Sequence, residues 1–302
     1  RHTRLRTVTG VQTCALPISS AVSSFGWLVC TLRKSGWCFF RSATNVGVIL
    51  CGRKMGMRDP IRTNSMAAQE KGDGRFPTVK SPNPENGEAL ALGIEQAKKE
   101  KADLVVATDP DADRMGVALR NASGEYELIT GNQIGSLIAD YRVKRMKAKG
   151  WIRPGEEKNC CLIKTFVTTD LQKEMAAAAG MKCVETLTGF KYIGEKLGIY
   201  EKQAGGRGKL GAEEWRRKRI DKSTFFVFGG EESYGYSGGD FVRDKDANGA
   251  VLMFVEAAAW AKSQGRDLLQ ELDGIYRSHG LYLEKLGNLE MPGAEGAKQI
   301  AR

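Results

Sequence analysis

The sequence has few features that would anchor it in a membrane or cross-link it. Its longest apolar runs fall short of the roughly 20 residues that span a bilayer, so we expect no membrane span. Its seven cysteines include no Cys-x-x-Cys pair and follow no framework spacing. Cysteines in apolar context without such spacing indicate buried free thiols in a reducing compartment. We therefore expect a soluble, cytoplasmic protein.

Acidic residues are absent from positions 1–58, which contain nine Lys and Arg residues. The other 37 basic residues nearly balance the 36 acidic ones, so the formal net charge of +10 belongs almost entirely to this segment. A nearly neutral body argues against nucleic acid as a partner. Residues 8–18 resemble translated sequencing adapter, and we interpret 1–58 as non-native or disordered sequence without function. A transit peptide is the alternative interpretation.

Three aspartates at alternate positions follow the apolar run 104–107: Asp109, Asp111 and Asp113. Alternate positions of an extended segment can turn their carboxylates toward one point, where they repel each other unless a cation lies between them. Hard oxygen ligands suit Mg²⁺ or Ca²⁺. An EF-hand loop does not fit, because Arg114 and Arg120 replace its Gly and Glu. A solvated acidic turn remains possible, although Arg114 beside the aspartates indicates an anion at the metal.

Local patterns predict an α/β protein with a linker at 59–75 and a domain boundary near 151–158. Residues 160–167, 171–179 and 183–185 have the strand, helix, strand order of a βαβ unit. Residues 200–222, rich in Gly, Lys, Arg and Glu, indicate a long solvated loop. The remaining elements are helices near 90–97, 132–150, 250–261 and 268–275, strands at 103–107 and 224–228, and a hairpin of 115–119 with 125–129.

Polar residues at the predicted element ends form further candidate sites: Lys164 with Thr165, Gly189 with Phe190, Lys191 and Tyr192, and Glu232 with Ser233. Each alone is equally consistent with turn chemistry or a solvated surface charge. In order, however, residues from about 76 to 290 resemble the α-D-phosphohexomutase superfamily, in its phosphoglucomutase and phosphopentomutase-like branch. The segments that carry this resemblance are 76–79, 81–85, 109–114, 186–194, 230–236 and 240–246.

The resemblance implies two consecutive mixed-sheet α/β domains, with the first and fourth domains of the family missing. These would be a metal-binding domain at 76–155 and a sugar-binding domain at 156–290, followed by a truncated link at 291–302. It also implies that Asp109, Asp111 and Asp113 hold Mg²⁺, that Arg114 contacts the phosphoryl group, and that Lys164 lies near the transferring phosphate. Gly189, Phe190 and Lys191 would read the sugar orientation, and Glu232 with Ser233 would bind its hydroxyls.

The implied reaction moves phosphate between the 1 and 6 positions of a hexose, or the 1 and 5 positions of a pentose. It would use a phosphoserine and a sugar bisphosphate, which also serves as activator. The family's serine loop, similar to Thr-Ala-Ser-His-Asn-Pro, has no counterpart here, since neither His2 nor His279 has that context. We therefore expect an inactive fragment. The alternatives are a non-catalytic sugar-phosphate-binding remnant and a Mg²⁺-dependent phosphatase.

Overall fold

The computed structural model describes residues 48–51, 63–65, 67–70 and 73–285. Most of the segment 1–58 and all of 291–302, on which the sequence analysis made predictions, lie outside these residues. Strands of the first sheet are β1 Val48–Cys51, β2 Thr63–Ser65, β3 Leu104–Thr108, β4 Met115–Arg120 and β5 Tyr126–Ile129. They lie in the order β2-β1-β3-β4-β5, and each neighbouring pair is antiparallel.

A second sheet contains β6 Cys160–Thr165, β7 Lys182–Thr186, β8 Phe225–Gly230 and β9 Tyr236–Ser237. Its strand order is β7-β6-β8-β9. Strand β6 pairs in parallel with both β7 and β8, whereas β9 is antiparallel to β8. The predicted βαβ unit and the α/β class are thereby confirmed. Because the three parallel strands end at one edge, the loops that follow them lie together there.

Helices cover the sheets: α1 Ala67–Glu70, α2 Gly87–Glu100, α3 Gly131–Ala148, α4 Leu171–Ala178, α5 Phe190–Gln203, α6 Ala212–Lys222, α7 Ala247–Ser263 and α8 Leu268–His279. Polar side chains fix several of their starts. Thr130 and Gln133 form a capping box at α3, and the Asp246 side chain accepts the Gly249 N–H at α7. These bonds satisfy donors that a helix leaves unpaired at its first turn. None of the described helices could cross a membrane.

Strand β3 is buried on both faces. Leu104 and Val106 belong to the main hydrophobic core, which α7 completes, whereas Val105 and Ala107 pack in a smaller cluster with α2. Two covered faces explain why the strand is a continuous apolar run rather than an alternating one. The hairpin that follows was predicted correctly, with β4 and β5 joined at the 121–124 turn.

The structure differs from the predicted boundaries at the front of the chain. Strand β1 lies within the range interpreted as non-native sequence, and it pairs with β3 from Val48 opposite Ala107 to Cys51 opposite Leu104. Strand β2 and helix α1 lie within the predicted linker. The absence of acidic residues up to position 58 marked a compositional change, but backbone pairing continues across it.

Helix α3 packs mainly against α7, α8 and β8, although the predicted boundary near 151–158 assigns it to the preceding domain. Its buried residues Ile134 and Ile138 share one core with residues of both sheets, such as Val117 and Phe228. The helix therefore belongs to the packing of the second sheet. Its own sequence indicates an apolar face but not which partner covers that face.

The predicted solvated loop at 200–222 also differs from the structure, because α5 continues to Gln203 and α6 occupies Ala212–Lys222. Helix α6 buries Trp215, Arg219 and Ile220. Trp215 Nε1 and Arg219 Nη1 both donate to Asp240 Oδ2, at 2.8 and 2.7 Å. A buried arginine paired with a distant aspartate gives this charge-rich segment a packed face that its composition conceals.

Candidate functional site

The aspartate loop 109–114 closes on itself at the end of β3. Asp109 Oδ1 accepts the backbone N–H groups of Asp113 and Arg114, each at 2.9 Å. The Ala112 N–H donates to the Asp109 carbonyl at 3.0 Å, and Ala112 has the left-handed φ of 56°. Because Oδ1 is used inside the loop, Oδ2 of Asp109 remains available for a ligand.

Each of the three aspartates offers one carboxylate oxygen, and these atoms lie within 4.8 Å of one another. Asp109 is buried, Asp113 is half-buried and Asp111 is exposed. The pKa of Asp109 is raised to about 6: burial raises it most, the Arg114 backbone N–H lowers it, and the neighbouring carboxyls of Asp113 and Asp111 also raise it. Such crowding of anions in a desolvated loop is relieved by a bound cation.

Two cationic side chains border the triad. Lys245 Nζ lies 3.1 Å from Asp113 Oδ2. Arg114 Nε lies 3.9 Å from Asp109 Oδ2 and 3.8 Å from Asp113 Oδ1. The triad consists only of oxygen donors, and carboxylates completed by water or phosphate are the ligand set that Mg²⁺ prefers. The residues present therefore fit a hard divalent cation.

The aspartate loop is bonded to two distant segments of the chain. Arg114 forms an antiparallel bridge with Gly235, and the Met115 N–H donates to the Tyr234 carbonyl at 3.0 Å. The first N–H of α7, that of Ala247, donates to the Ala112 carbonyl at 3.0 Å. The aspartate loop and the β8–β9 turn consequently form one backbone unit, which joins two of the sites that the sequence predicted separately.

Glu232, in the β8–β9 turn, is held from the end of β6. Its Oε2 accepts hydrogen bonds from Thr165 Oγ1 at 3.1 Å and from Thr168 Oγ1 at 3.2 Å. The two threonine oxygens are 2.7 Å apart. A carboxylate can accept bonds at both oxygens, so two donors on Oε2 orient the group and leave Oε1 for a further donor. Ser233 is half-buried in the same turn.

The predicted segment at 189–191 meets the turn through Glu231. Its Oε1 accepts the Gly189 N–H at 2.8 Å, at the start of α5. Burial raises the pKa of Glu231, and the Gly189 bond lowers it in part. Phe190 is buried with its ring 6.0 Å from Lys245 Nζ, whereas Lys191 is exposed and lies 4.9 Å from the Tyr192 ring. Within this segment the backbone of Gly189 contacts the turn.

Lys164 is placed differently from the other candidates. Its side chain is fully buried, and Nζ lies 2.8 Å from Glu185 Oε1, 3.1 Å from Asp170 Oδ1 and 2.9 Å from the Thr168 carbonyl. Burial lowers the pKa of Lys164, but the bonds to Glu185 and Asp170 outweigh it and raise the pKa above its ordinary value. The ammonium group thus ties together β6, β7 and the start of α4.

Three residues of the candidate site received no role from the sequence, although two lie in segments quoted for the family resemblance: Glu85, Thr168 and Lys245. Lys245 and Glu85 each pair with a residue of the aspartate loop. Both pairings join residues far apart along the chain, so spacing alone carried no signal for them. A polar residue after two prolines, as at Glu85, was the one local indication.

Models of two domains of the phosphoglucomutase/phosphomannomutase family match this chain. The alpha/beta/alpha domain II matches residues 50–124, and the alpha/beta/alpha domain III matches residues 130–277. The chain belongs to the phosphoglucomutase/phosphomannomutase family. The resemblance to α-D-phosphohexomutases drawn from the motifs is thereby confirmed. The match to domain III begins just before α3, in agreement with the packing of that helix.

Individual relatives agree with the family assignment. Phosphoglucomutases of Staphylococcus aureus strains N315 and Mu50 are each 34% identical to this chain over 237 residues, which is 78% of this chain and 38% of the relative. The chain thus spans about two fifths of the length of these curated relatives. A crystal structure assigned to a phosphomannomutase of Thermus thermophilus is 22% identical, covers 70% of this chain and 39% of that chain, and has a TM-score of 0.50. It supports the fold.

Proposed function

We propose that this chain supplies the metal-binding and sugar-binding residues of a phosphohexomutase. Such an enzyme moves phosphate between the 1 and 6 positions of a hexose, or the 1 and 5 positions of a pentose. The observation that carries the proposal is the backbone unit formed by the aspartate loop and the β8–β9 turn, through the Arg114–Gly235 bridge and the Met115–Tyr234 bond. This unit brings the proposed phosphate-binding residues of the aspartate loop next to the turn that carries Glu232, the proposed sugar-binding carboxylate.

Asp109, Asp111 and Asp113 would hold Mg²⁺ through one oxygen each. When bound, the ion supplies positive charge that stabilises the negative charge on the phosphoryl oxygens during transfer. Arg114 would donate its remaining N–H groups to the same phosphoryl group, because a guanidinium matches phosphate geometry. Support for these roles comes from the exposure of Asp111 and from the partial exposure, 39%, of the Arg114 side chain.

Glu232 and Ser233 would bind the sugar. A carboxylate oxygen accepts hydrogen bonds from sugar hydroxyls well. Because the two threonines bond to Oε2 of Glu232, its Oε1 would be left to accept such a bond. Gly189, Phe190 and Lys191 would contribute to reading the sugar orientation from the start of α5. The aspartate loop would thus bind the phosphate, which requires cations, and the β8–β9 turn with the start of α5 would bind the sugar ring, which requires hydrogen-bond donors and acceptors.

Lys164 would act near the transferring phosphate only indirectly. Its ammonium group holds the Thr168 carbonyl, and the Thr168 hydroxyl holds Glu232. We therefore assign Lys164 to positioning of the hydroxyl-binding carboxylate. A direct phosphate contact would require its bonds to Glu185 and Asp170 to break.

The nucleophile is the missing part. The phosphorylated serine and its His-containing loop have no counterpart among these 302 residues. We propose that the chain binds Mg²⁺ and sugar phosphates but does not interconvert them, even with a sugar bisphosphate as activator. A sugar-phosphate-binding role without catalysis is the second candidate, and the same missing loop favours it for this chain.

We place the protein in the cytoplasm. Cys160 and Cys161 are buried free thiols, and Cys183 is half-buried. Burial raises the pKa of the Cys160 thiol to about 12 and that of the Cys183 thiol to about 11. Thiols held protonated in this way are inert, which suits a reducing compartment.

Thermal unfolding in a Mg²⁺ titration tests the metal site. A ligand that binds only the folded state at one hundred times its Kd stabilises by about 2.7 kcal/mol, or roughly 4 to 6 °C for a chain of this size. Asp111→Asn is expected to abolish the shift, whereas Glu88→Gln, which removes an exposed carboxylate of α2, is expected to preserve it. Equal shifts in the wild type and the Asp111 variant would refute the site.

A coupled assay of glucose 1-phosphate and glucose 6-phosphate tests the catalytic part. The purified chain with Mg²⁺ and glucose 1,6-bisphosphate is expected to show no interconversion and to bind the bisphosphate in calorimetry. Turnover by the chain alone would mean that one of its own residues is the nucleophile. Release of inorganic phosphate without interconversion would favour a phosphatase instead.

A further inference from the structure

Glu85 lies just before helix α2 and pairs with Arg114, 29 positions away in the sequence. Its Oε1 lies 3.4 Å from Arg114 Nη1. The Glu85 side chain is 25% exposed, so the pair is partly shielded from solvent. Shielding strengthens the attraction between opposite charges relative to a fully solvated surface pair. Neither the family resemblance nor the comparisons assign Glu85 a role.

The backbone that presents Glu85 is fixed by its neighbours. Asn83 Oδ1 accepts the Glu85 N–H at 3.0 Å, and the Asn83 carbonyl accepts the Asn86 N–H at 3.0 Å. The Pro84 carbonyl lies against strand β4 at Gly116, where an added Cβ would be 2.1 Å from its oxygen. Only glycine permits this approach, and the turn is thereby seated on the strand that follows the aspartate loop.

Arg114 has two other anions within reach. Its Nε lies 3.9 Å from Asp109 Oδ2 and 3.8 Å from Asp113 Oδ1. Oδ2 is the oxygen that Asp109 keeps free of its own loop. A guanidinium drawn onto these carboxylates would neutralise the charges that a metal needs. Glu85 is the anion that competes for Arg114 from outside the triad.

We infer that Glu85 is a positioning residue that holds the Arg114 guanidinium beyond hydrogen-bond distance of the Asp109 and Asp113 carboxylates, which lie 3.9 and 3.8 Å from its Nε. The pairing leaves Asp109 and Asp113 to the cation and leaves the other N–H groups of Arg114 to an anion bound beside it. The inference rests on the proposed metal site. Glu85 would therefore increase the affinity for Mg²⁺ although it lies outside the triad.

A double-mutant cycle tests this role, with the Kd for Mg²⁺ measured by isothermal titration calorimetry on the full 302-residue chain. Glu85→Gln is expected to raise the Kd for Mg²⁺ roughly three- to tenfold, a size that is common for the coupling energy between residues in contact. Arg114→Gln is expected to lower the Kd, because it removes a cation beside the ligands. In the Arg114→Gln background, Glu85→Gln is expected to change the Kd by less than about twofold, since only screened long-range charge is lost.

Glu88→Gln is the matched control, because it removes the same charge from the exposed first turn of α2, and its Kd is expected to equal that of the wild type. Melting temperatures report whether each variant folds. An equal effect of Glu85→Gln in both backgrounds would overturn the inference, as would an unchanged Kd in the Glu85→Gln variant. Failure of the wild-type chain to bind Mg²⁺ would instead refute the metal assignment itself.

Discussion

Lys164 offers a sharp test of the electrostatics, because its side chain is 0% exposed while its two partners remain partly solvated. Glu185 is 39% exposed and Asp170 is 61% exposed. Removing the lysine and removing the carboxylates should therefore have unequal costs. Lys164→Met leaves two carboxylates that water can solvate. Glu185→Gln with Asp170→Asn leaves a buried ammonium with only neutral acceptors: the carbonyls of Thr168 and Thr165 and the amide oxygens of the two new side chains.

The magnitudes follow from this asymmetry. Lys164→Met loses one charge-assisted bond and two partly exposed ion pairs, but it buries an apolar stem of similar length. We expect a loss of about 1 to 2 kcal/mol in the free energy of unfolding. The double carboxylate variant leaves an uncompensated buried charge and is expected to lose about 3 to 5 kcal/mol. Adding Lys164→Met to the double variant should then restore about 2 kcal/mol.

Urea unfolding monitored by circular dichroism and fluorescence measures these differences, provided that both probes give one transition. Lys173→Met is a suitable control, since Lys173 contacts Glu185 only at 3.7 Å and its side chain is 53% exposed. Its loss should stay below about 0.5 kcal/mol. If the double carboxylate variant were no less stable than Lys164→Met, the ammonium would be solvated. The ion-pair role of Lys164 would then be refuted.

Three further predictions concern packing, pairing and pH. Gly131→Ala places a Cβ 2.0 Å from the Glu232 carbonyl oxygen and should lower the free energy of unfolding by about 1 to 3 kcal/mol. Gly274→Ala, whose Cβ would have nothing within 4 Å, should instead stabilise helix α8. The melting temperatures of the two variants test both expectations. Deleting residues 1–58 should lower the melting temperature, because it removes β1, which pairs with both β2 and β3; an unchanged value would contradict that pairing. Lys164 lowers the pKa of Glu185 in the folded state. The pair therefore contributes fully to the free energy of unfolding above the unfolded pKa of Glu185, about 4.3, and this contribution is lost as the pH falls through the lower folded pKa. The urea-measured difference between wild type and Lys164→Met should accordingly narrow below about pH 4, and a constant difference would contradict the pair.

The aspartate loop was predictable because its information is local. An apolar strand and three alternate aspartates lie within ten residues, and burial of β3 on both faces agrees with its unbroken apolar run. The hairpin of β4 and β5 and the parallel pairing of β6 and β7 were predictable for the same reason. Each depends on periodicity and turn residues that lie close together in the sequence.

Features that depend on distant partners were not predictable. The charge-rich helix α6 looked like a loop because the partner of its buried Arg219, Asp240, lies 21 positions away. The sequence placed helix α3 before a domain boundary because a Pro and Gly pair after it resembled a linker, whereas in the structure its apolar face packs on α7, α8 and β8. Local composition describes a face but does not identify what covers it.

The joining of the two halves of the site has a mechanical consequence. The aspartate loop and the β8–β9 turn share the Arg114–Gly235 bridge, and the turn in turn carries Glu232, which β6 holds through Thr165 and Thr168. A displacement of the turn therefore moves the backbone of Arg114 as well as the carboxylate of Glu232. If the proposed site holds a sugar phosphate, a shared backbone unit would fix the separation of its phosphate and its sugar better than two independent loops would.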